Sequence, residues 1–169
     1  MSRLLVPVES SQGERRVSAT PETVKKFLAL GCQVFVECGA GLKAGFQDEE
    51  YRLAGGELVV HGSAAVWKEA DVLLCVQSPL GNSLATLKSG ALLVGLLAPY
   101  SNVALSDSLQ SGRLSAIALE LLPRISRAQS ADALSSQANI AGYKSVLIAA
   151  ASLDRYFPML MTAAGTVQP

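Results

Sequence analysis

Between Pro123 and Ser136 the chain reads Pro-Arg-Ile-Ser-Arg-Ala-Gln-Ser-Ala-Asp-Ala-Leu-Ser-Ser. Two guanidiniums (Arg124, Arg127), a carboxamide (Gln129), a carboxylate (Asp132) and hydroxyls that include Ser130 and Ser135 crowd into this stretch. Such a set donates and accepts in several directions, which suits a polar, hydrogen-bonding ligand such as a carboxamide or a phosphate. With a helix starting near Ser130, Asp132 and Ser135 share one face and Asn139 follows one turn later. The same residues also read as an N-cap at Ser130, a dipole-compensating Asp132 and solvated arginines.

The other candidates are weaker. Gly39-Ala40-Gly41-Leu42-Lys43-Ala44 fits the relaxed dinucleotide fingerprint, but the residues after it continue as loop. It reads as a sharp turn needing positive φ, or else as a phosphate loop. Arg15 and Arg16 precede a helix start at Thr20-Pro21, where they either bind an anion or pair with acids. His61, the only imidazole, and Trp67 read as structural, and no Ser-His-Asp or Cys-His system can be drawn. Cys32, Cys38 and Cys75 form no CxxC and read as structural thiols; no metal site is expected.

Those residues hang on an alternation of short apolar runs and helical stretches punctuated by turn residues. Strands are expected over 3–8, 32–37, 57–60, 71–77, 91–97 and 114–120. Helices are expected from Pro21 to Gly31 and over 48–55, 63–69, 83–88 and 102–110. Thr20 caps the first of these, and the acids Asp48-Glu49-Glu50 open the second. Strand–helix–strand repetition of this kind gives a doubly wound α/β fold with a mainly parallel sheet. The candidate loop follows the last strand, so it is expected outside the carboxyl end of the sheet, where such folds place ligands. From Ala131 an Ala- and Ser-rich stretch predicts one long helix to about Tyr156, and the tail from Thr162 has linker composition. The expected domains are 1–130, an α/β domain, and 131–169, a long helix and linker.

At 169 residues, with 50% hydrophobic and 17% charged, the chain can bury a core without a disulfide or metal and is not a disordered segment. Fourteen basic residues balance fourteen acidic ones, so nothing favours nucleic acid as a partner. The mean hydropathy of +0.33 points to a surface partly covered by another chain, and a homo-oligomer is expected. The apolar run 91–98 is too short to span a bilayer and the amino terminus lacks a signal-peptide pattern, so a cytoplasmic location is expected.

Three runs together resemble a known family: Val6-Pro7-Val8-Glu9 leading to Gly13-Glu14-Arg15-Arg16-Val17-Ser18-Ala19-Thr20-Pro21; Glu37 to Ala44; and Pro123 to Ser136 with Ala138-Asn139-Ile140-Ala141-Gly142-Tyr143. They look like the amino-terminal region of the proton-translocating NAD(P) transhydrogenase alpha subunit, whose fold is of the flavodoxin and formate/glycerate-dehydrogenase kind. The resemblance implies hydride transfer between NADH on this component and NADP on a partner subunit, coupled to proton movement through membrane subunits. It implies that Arg124, Asp132 and Ser135 hold the carboxamide and ribose side of the NADH nicotinamide and that Gln129 reaches toward the partner nucleotide. Gln129 and Asp132 thus stand at the hydride-transfer centre, with Arg127 and Ser130 beside them.

Alanine dehydrogenase is the sister family, but Cys75 stands where its strand lysine would be and Leu97-Ala98-Pro99 offers no histidine, so alanine oxidation is disfavoured. In the transhydrogenases, too, a lysine is usual where Cys75 stands. In that family a Rossmann domain follows at about Pro169. The chain is therefore expected to be a piece of a longer subunit or a short copy that borrows a Rossmann domain in trans, inactive and weak in NADH binding alone. It would lie peripheral to the inner membrane through its partners. The competing expectation is a non-catalytic binding or regulatory module that associates with other subunits.

Overall fold

A computed structural model describes residues 1–79 and 81–169. Six strands, β1 (Arg3–Val6), β2 (Gln33–Glu37), β3 (Glu57–Val59), β4 (Val72–Gln77), β5 (Leu92–Leu96) and β6 (Ser115–Ala118), pair in the order β3-β2-β1-β4-β5-β6. Every pairing is parallel, with Leu4 opposite Val34 and Val72, and Leu93 opposite Leu73 and Ala116. The crossover helices are α1 (Pro21–Ala29), α2 (Asp48–Leu53), α3 (Ala64–Glu69), α4 (Gly81–Leu84) and α5 (Val103–Gly112). The doubly wound α/β expectation therefore holds, and the order reverses between β1 and β4.

Period-two alternation divides the core between the two faces of the sheet. Leu5, Leu73 and Leu93 join Trp67, Leu97 and Leu105 in one cluster. Leu4, Val6, Val34 and Val36 join Val24 and Tyr51 in the other. Local chemistry sets the helix starts: Thr20 caps α1 through the Thr23 N–H with Pro21 at the first turn, and Gln47 and Glu50 form a capping box on α2.

Several elements differ from expectation. Helix α4 gives way to turns after Leu84, where Thr86 aims its hydroxyl at the Ser83 carbonyl (2.6 Å). The sixth strand stops at Ala118 because residues 119–121 tighten into a 3-10 turn that swings Glu120 onto the backbone N–H groups of Leu97 and Ala98. The tail folds into an antiparallel hairpin of β7 (Leu160–Thr162) and β8 (Gly165–Val167), turned by Ala163-Ala164 with Gly165 at φ 124°.

The chain divides into two compact units, Met1–Pro123 and Arg124–Pro169. The first carries the sheet and both core clusters. The second carries a 3-10 segment (Ser126–Ala131), the hairpin and the long helix α6 (Ala133–Ser152), which starts two residues later and ends four earlier than its composition suggests. No residue of α6 is buried, and Ile140, Tyr143, Val146, Leu147 and Ile148 are all exposed.

Candidate functional site

The residues singled out between Arg124 and Ser135 all fall in the second unit, around the entry to α6. The 3-10 segment is pinned by Ala128 N–H to Ile125 O (2.9 Å) and Asp132 N–H to Gln129 O (3.2 Å). These bonds fold the backbone so that Arg124, Gln129 and Asp132 line one cavity of about 370 Å3, with Ile125, Ser126 and Ala128 completing its wall. Arg127 is exposed and outside that wall, as is Ser135.

Asp132, rather than Ser130, is the N-cap of α6. Its Oδ1 accepts the Ser135 N–H (2.9 Å) and its Oδ2 accepts the Ser135 hydroxyl (2.6 Å). The Ser135 hydroxyl, its N–H and the nearby Arg124 charge together hold the Asp132 carboxyl below the usual carboxylate range. Ser135 thereby fixes the carboxylate in one orientation. The cavity then presents a guanidinium that donates, a carboxylate that accepts and a carboxamide that does both. Such a wall offers donors and acceptors together, which suits a polar ligand that carries both.

The remaining sequence candidates resolve to structural roles. Five N–H groups of the Gly39–Gly45 turn are already used: Gly39 N–H donates to Asp48 Oδ1 (2.8 Å), Ala40 N–H to the Glu37 carbonyl (2.9 Å), and those of Leu42, Ala44 and Gly45 to carbonyls of the turn itself. A Cβ on Gly41 would sit 2.6 Å from the Tyr51 ring, so this glycine admits an aromatic neighbour, not a pyrophosphate. Arg16 clasps Glu14 through Nε to Oε1 (2.8 Å) and Nη2 to Oε2 (2.7 Å), while Gln77 Nε2 (2.7 Å) and the backbone N–H groups of Arg15 (3.0 Å) and Arg16 (2.9 Å) donate to the same carboxylate. That clasp holds the Glu14 carboxyl down at about 2. Cys75 is buried, and burial pushes its thiol well above the ordinary range; its Sγ faces the Val94 carbonyl. Among the described residues no cluster of three His, Cys, Asp or Glu side chains could hold a metal.

Sequence reasoning missed a set of carboxylates at the carboxyl ends of the strands. Glu9 accepts the N–H groups of Val76 (2.6 Å) and Gln77 (3.1 Å), and burial raises its pKa. Glu120 does the same for Leu97 and Ala98. Glu37, 1% exposed, accepts from Val8 N–H (2.9 Å), Gly62 N–H (2.9 Å), Trp67 Nε1 (2.8 Å) and His61 Nδ1 (2.7 Å). Burial alone would raise its pKa, but the four hydrogen bonds outweigh it and the group stays below the ordinary carboxylate range. The available signal was parity: Glu37 follows Phe35 by two and so faces the same side of the sheet.

Sheet order, the uniform parallel pairing and a polar cavity at the entry to a long helix define a class, and comparison with known proteins fixes it. Residues 5–141 match the family "Alanine dehydrogenase/PNT, N-terminal domain", and the chain belongs to that family. It is 42% identical over 164 residues to NAD(P) transhydrogenase subunit alpha of Haemophilus influenzae, covering 97% of this chain and 31% of that one. It is 31% identical to the alanine dehydrogenase of Methanococcus maripaludis, over 89% of this chain and 39% of that one. Among solved structures, a transhydrogenase from Sinorhizobium meliloti superposes with a TM-score of 0.90 at 44% identity, over 98% of this chain and 49% of that one. The chain thus spans less than half the length of these relatives.

Proposed function

We propose that this chain is the amino-terminal domain of a transhydrogenase alpha subunit, and that with a Rossmann domain, in cis or in trans, it takes part in hydride transfer between NADH and NADP. The observation that carries the reading is the Arg124–Gln129–Asp132 cavity, set within a sequence more similar to transhydrogenase subunits than to alanine dehydrogenases. The nicotinamide, when bound, supplies the hydride. Arg124 and Asp132 would hold its carboxamide, fixing the rotation of the ring, and Ser135 keeps Asp132 in place for that task. Gln129 would present its amide toward the second nucleotide. Hydride transfer between two nicotinamides needs no protein base, so positioning carries the catalysis, and a cavity wall of guanidinium, carboxamide and carboxylate suits positioning.

The NADP-binding and membrane subunits of such an enzyme, a second copy of the chain, and a cytoplasmic location against the inner membrane belong to the same proposal. Among the described residues no helix is long and apolar enough to cross a membrane. Calorimetric titration of NADH tests it. The chain alone should bind weakly, and adding a family Rossmann domain should tighten binding to a degree that Asp132→Asn or Arg124→Gln abolishes. Micromolar binding by the chain alone, or indifference to both substitutions, overturns the reading.

A further inference from the structure

The first unit holds a second cavity, about 310 Å3, that the transhydrogenase reading does not use. It opens between Val8, just beyond β1, and Pro79, just beyond β4, which is where the strand order reverses. Crevices at such a switch point, outside the carboxyl ends of parallel strands, are where doubly wound folds bind ligands. Ser10, His61, Asn82 and Ser83 supply polar groups to its wall, with Trp67 and Glu37 behind them.

The protonation pattern of this wall follows from Glu37. Three fixed donors, Val8 N–H, Gly62 N–H and Trp67 Nε1, keep that buried carboxylate ionised. An ionised carboxylate 2.7 Å from His61 Nδ1 requires a proton on Nδ1. In the neutral ring Nε2 is then an acceptor, and the side chain is 66% exposed. The other polar wall groups are uncharged hydroxyls and a carboxamide, and the one fixed charge, on Glu37, is negative. That combination repels anions and favours a neutral ligand with adjacent hydroxyl donors. Where doubly wound folds bind nucleotides, an acid near the end of the second strand takes the ribose hydroxyls. Glu37 ends β2, but its oxygens are spent on internal donors, and His61 carries its basicity one ring further into the cavity.

We propose that the Glu37–His61 pair and the hydroxyl-lined cavity beside it form a binding site for the vicinal diol of a ribose-like furanose. His61 Nε2 and the Asn82 carboxamide oxygen accept from the two hydroxyls, and Ser10 and Ser83 donate back to them. The site stands independently of the NADH reading, because every residue in it belongs to the 1–123 unit.

The chain has one histidine, so long-range 1H–15N spectra of the whole labelled protein report on this site alone. The probes are methyl β-D-ribofuranoside, its 2-deoxy counterpart and inorganic phosphate. Methyl riboside should shift the His61 Nε2 resonance saturably in the millimolar range expected of so small a ligand. The deoxy sugar should bind about tenfold more weakly, one lost hydrogen-bond pair's worth, and phosphate should leave the resonance unmoved. Asn82→Ala should weaken riboside binding severalfold while the free-protein His61 signals stay in place. No shift with the riboside, an equal response to both sugars, or a response to phosphate alone overturns the proposal. None of those outcomes bears on NADH, whose test reads residues 124–135.

Discussion

The clasp between Glu14 and Arg16 gives the acid stability of the first unit a definite sign. The Glu14 carboxyl is lowered from 4.5 to about 2, so its contribution is fully present above about pH 4.5 and is lost as pH falls through about 2. Glu14 is 6% exposed, and the shift corresponds to about 3 kcal/mol. Glu14→Gln should therefore cost about that much at pH 7 and flatten the loss between pH 4.5 and 2 in denaturant titrations across that window; parallel pH profiles would refute it. Glu9 works in the opposite direction, its raised pKa favouring the fold in acid; part of that rise comes from the Glu14 charge, so Glu14→Gln relaxes Glu9 as well and the pH profile reads the pair together. Gly41→Ala tests packing instead: the new Cβ must displace the Tyr51 ring, whose hydroxyl donates to the Ala19 carbonyl (2.9 Å). A loss of about 1–3 kcal/mol in urea unfolding is expected, and a neutral result would mean the turn yields without moving Tyr51. At this scale the sequence exposed Arg124, Gln129 and Asp132, because polar residues clustered in one loop stand out. It hid Glu37 and Glu120, because an acid at a strand end looks solvated until the tertiary fold brings N–H donors to it.

Elements with clear end signals were legible, and those ended by distant contacts were not. Thr20-Pro21 and the Asp48 acids marked two helix starts to the residue, whereas β6 stops where Glu120 reaches across to the end of β5, a contact no local pattern encodes. The tail's hairpin was hidden for a related reason: Ala-Ala is a poor turn signal, and the turn relies on Gly165 and on the Thr162 hydroxyl meeting the Gly165 carbonyl (3.0 Å). At the entry to α6, Asp132 is both the cap and the candidate ligand group, and two substitutions separate those duties. Asn keeps an oxygen for the Ser135 N–H, so Asp132→Asn should leave hydrogen-exchange protection of the first turn of α6 nearly intact while removing NADH binding. Asp132→Ala should lose both. Equal fraying in the two variants would mean that the charge, not the oxygen, holds the helix start.

At the scale of the whole molecule the two units are unequal in what they bury. Both core clusters lie within 1–123, so a chain ended after Pro123 should keep a single cooperative thermal transition, read by near-ultraviolet circular dichroism. A broad, non-cooperative melt would show that 124–169 is needed for the core. The fold class and family were readable because strand–helix alternation and the 123–143 motif run through the chain.

Along the exit edge of the sheet, Glu37 joins the tips of β1 and β3 to β2, Glu9 joins β1 to β4, and Glu120 joins β5 to β6. Among the described residues no carboxylate spans β4 and β5 in that way, and their register slips between Leu74 and Gln77. The exit edge is thus stitched by carboxylates at its other joins, whereas β4 and β5 are drawn together by close backbone approach, Gly95 leaving no room for a Cβ against the Cys75 carbonyl.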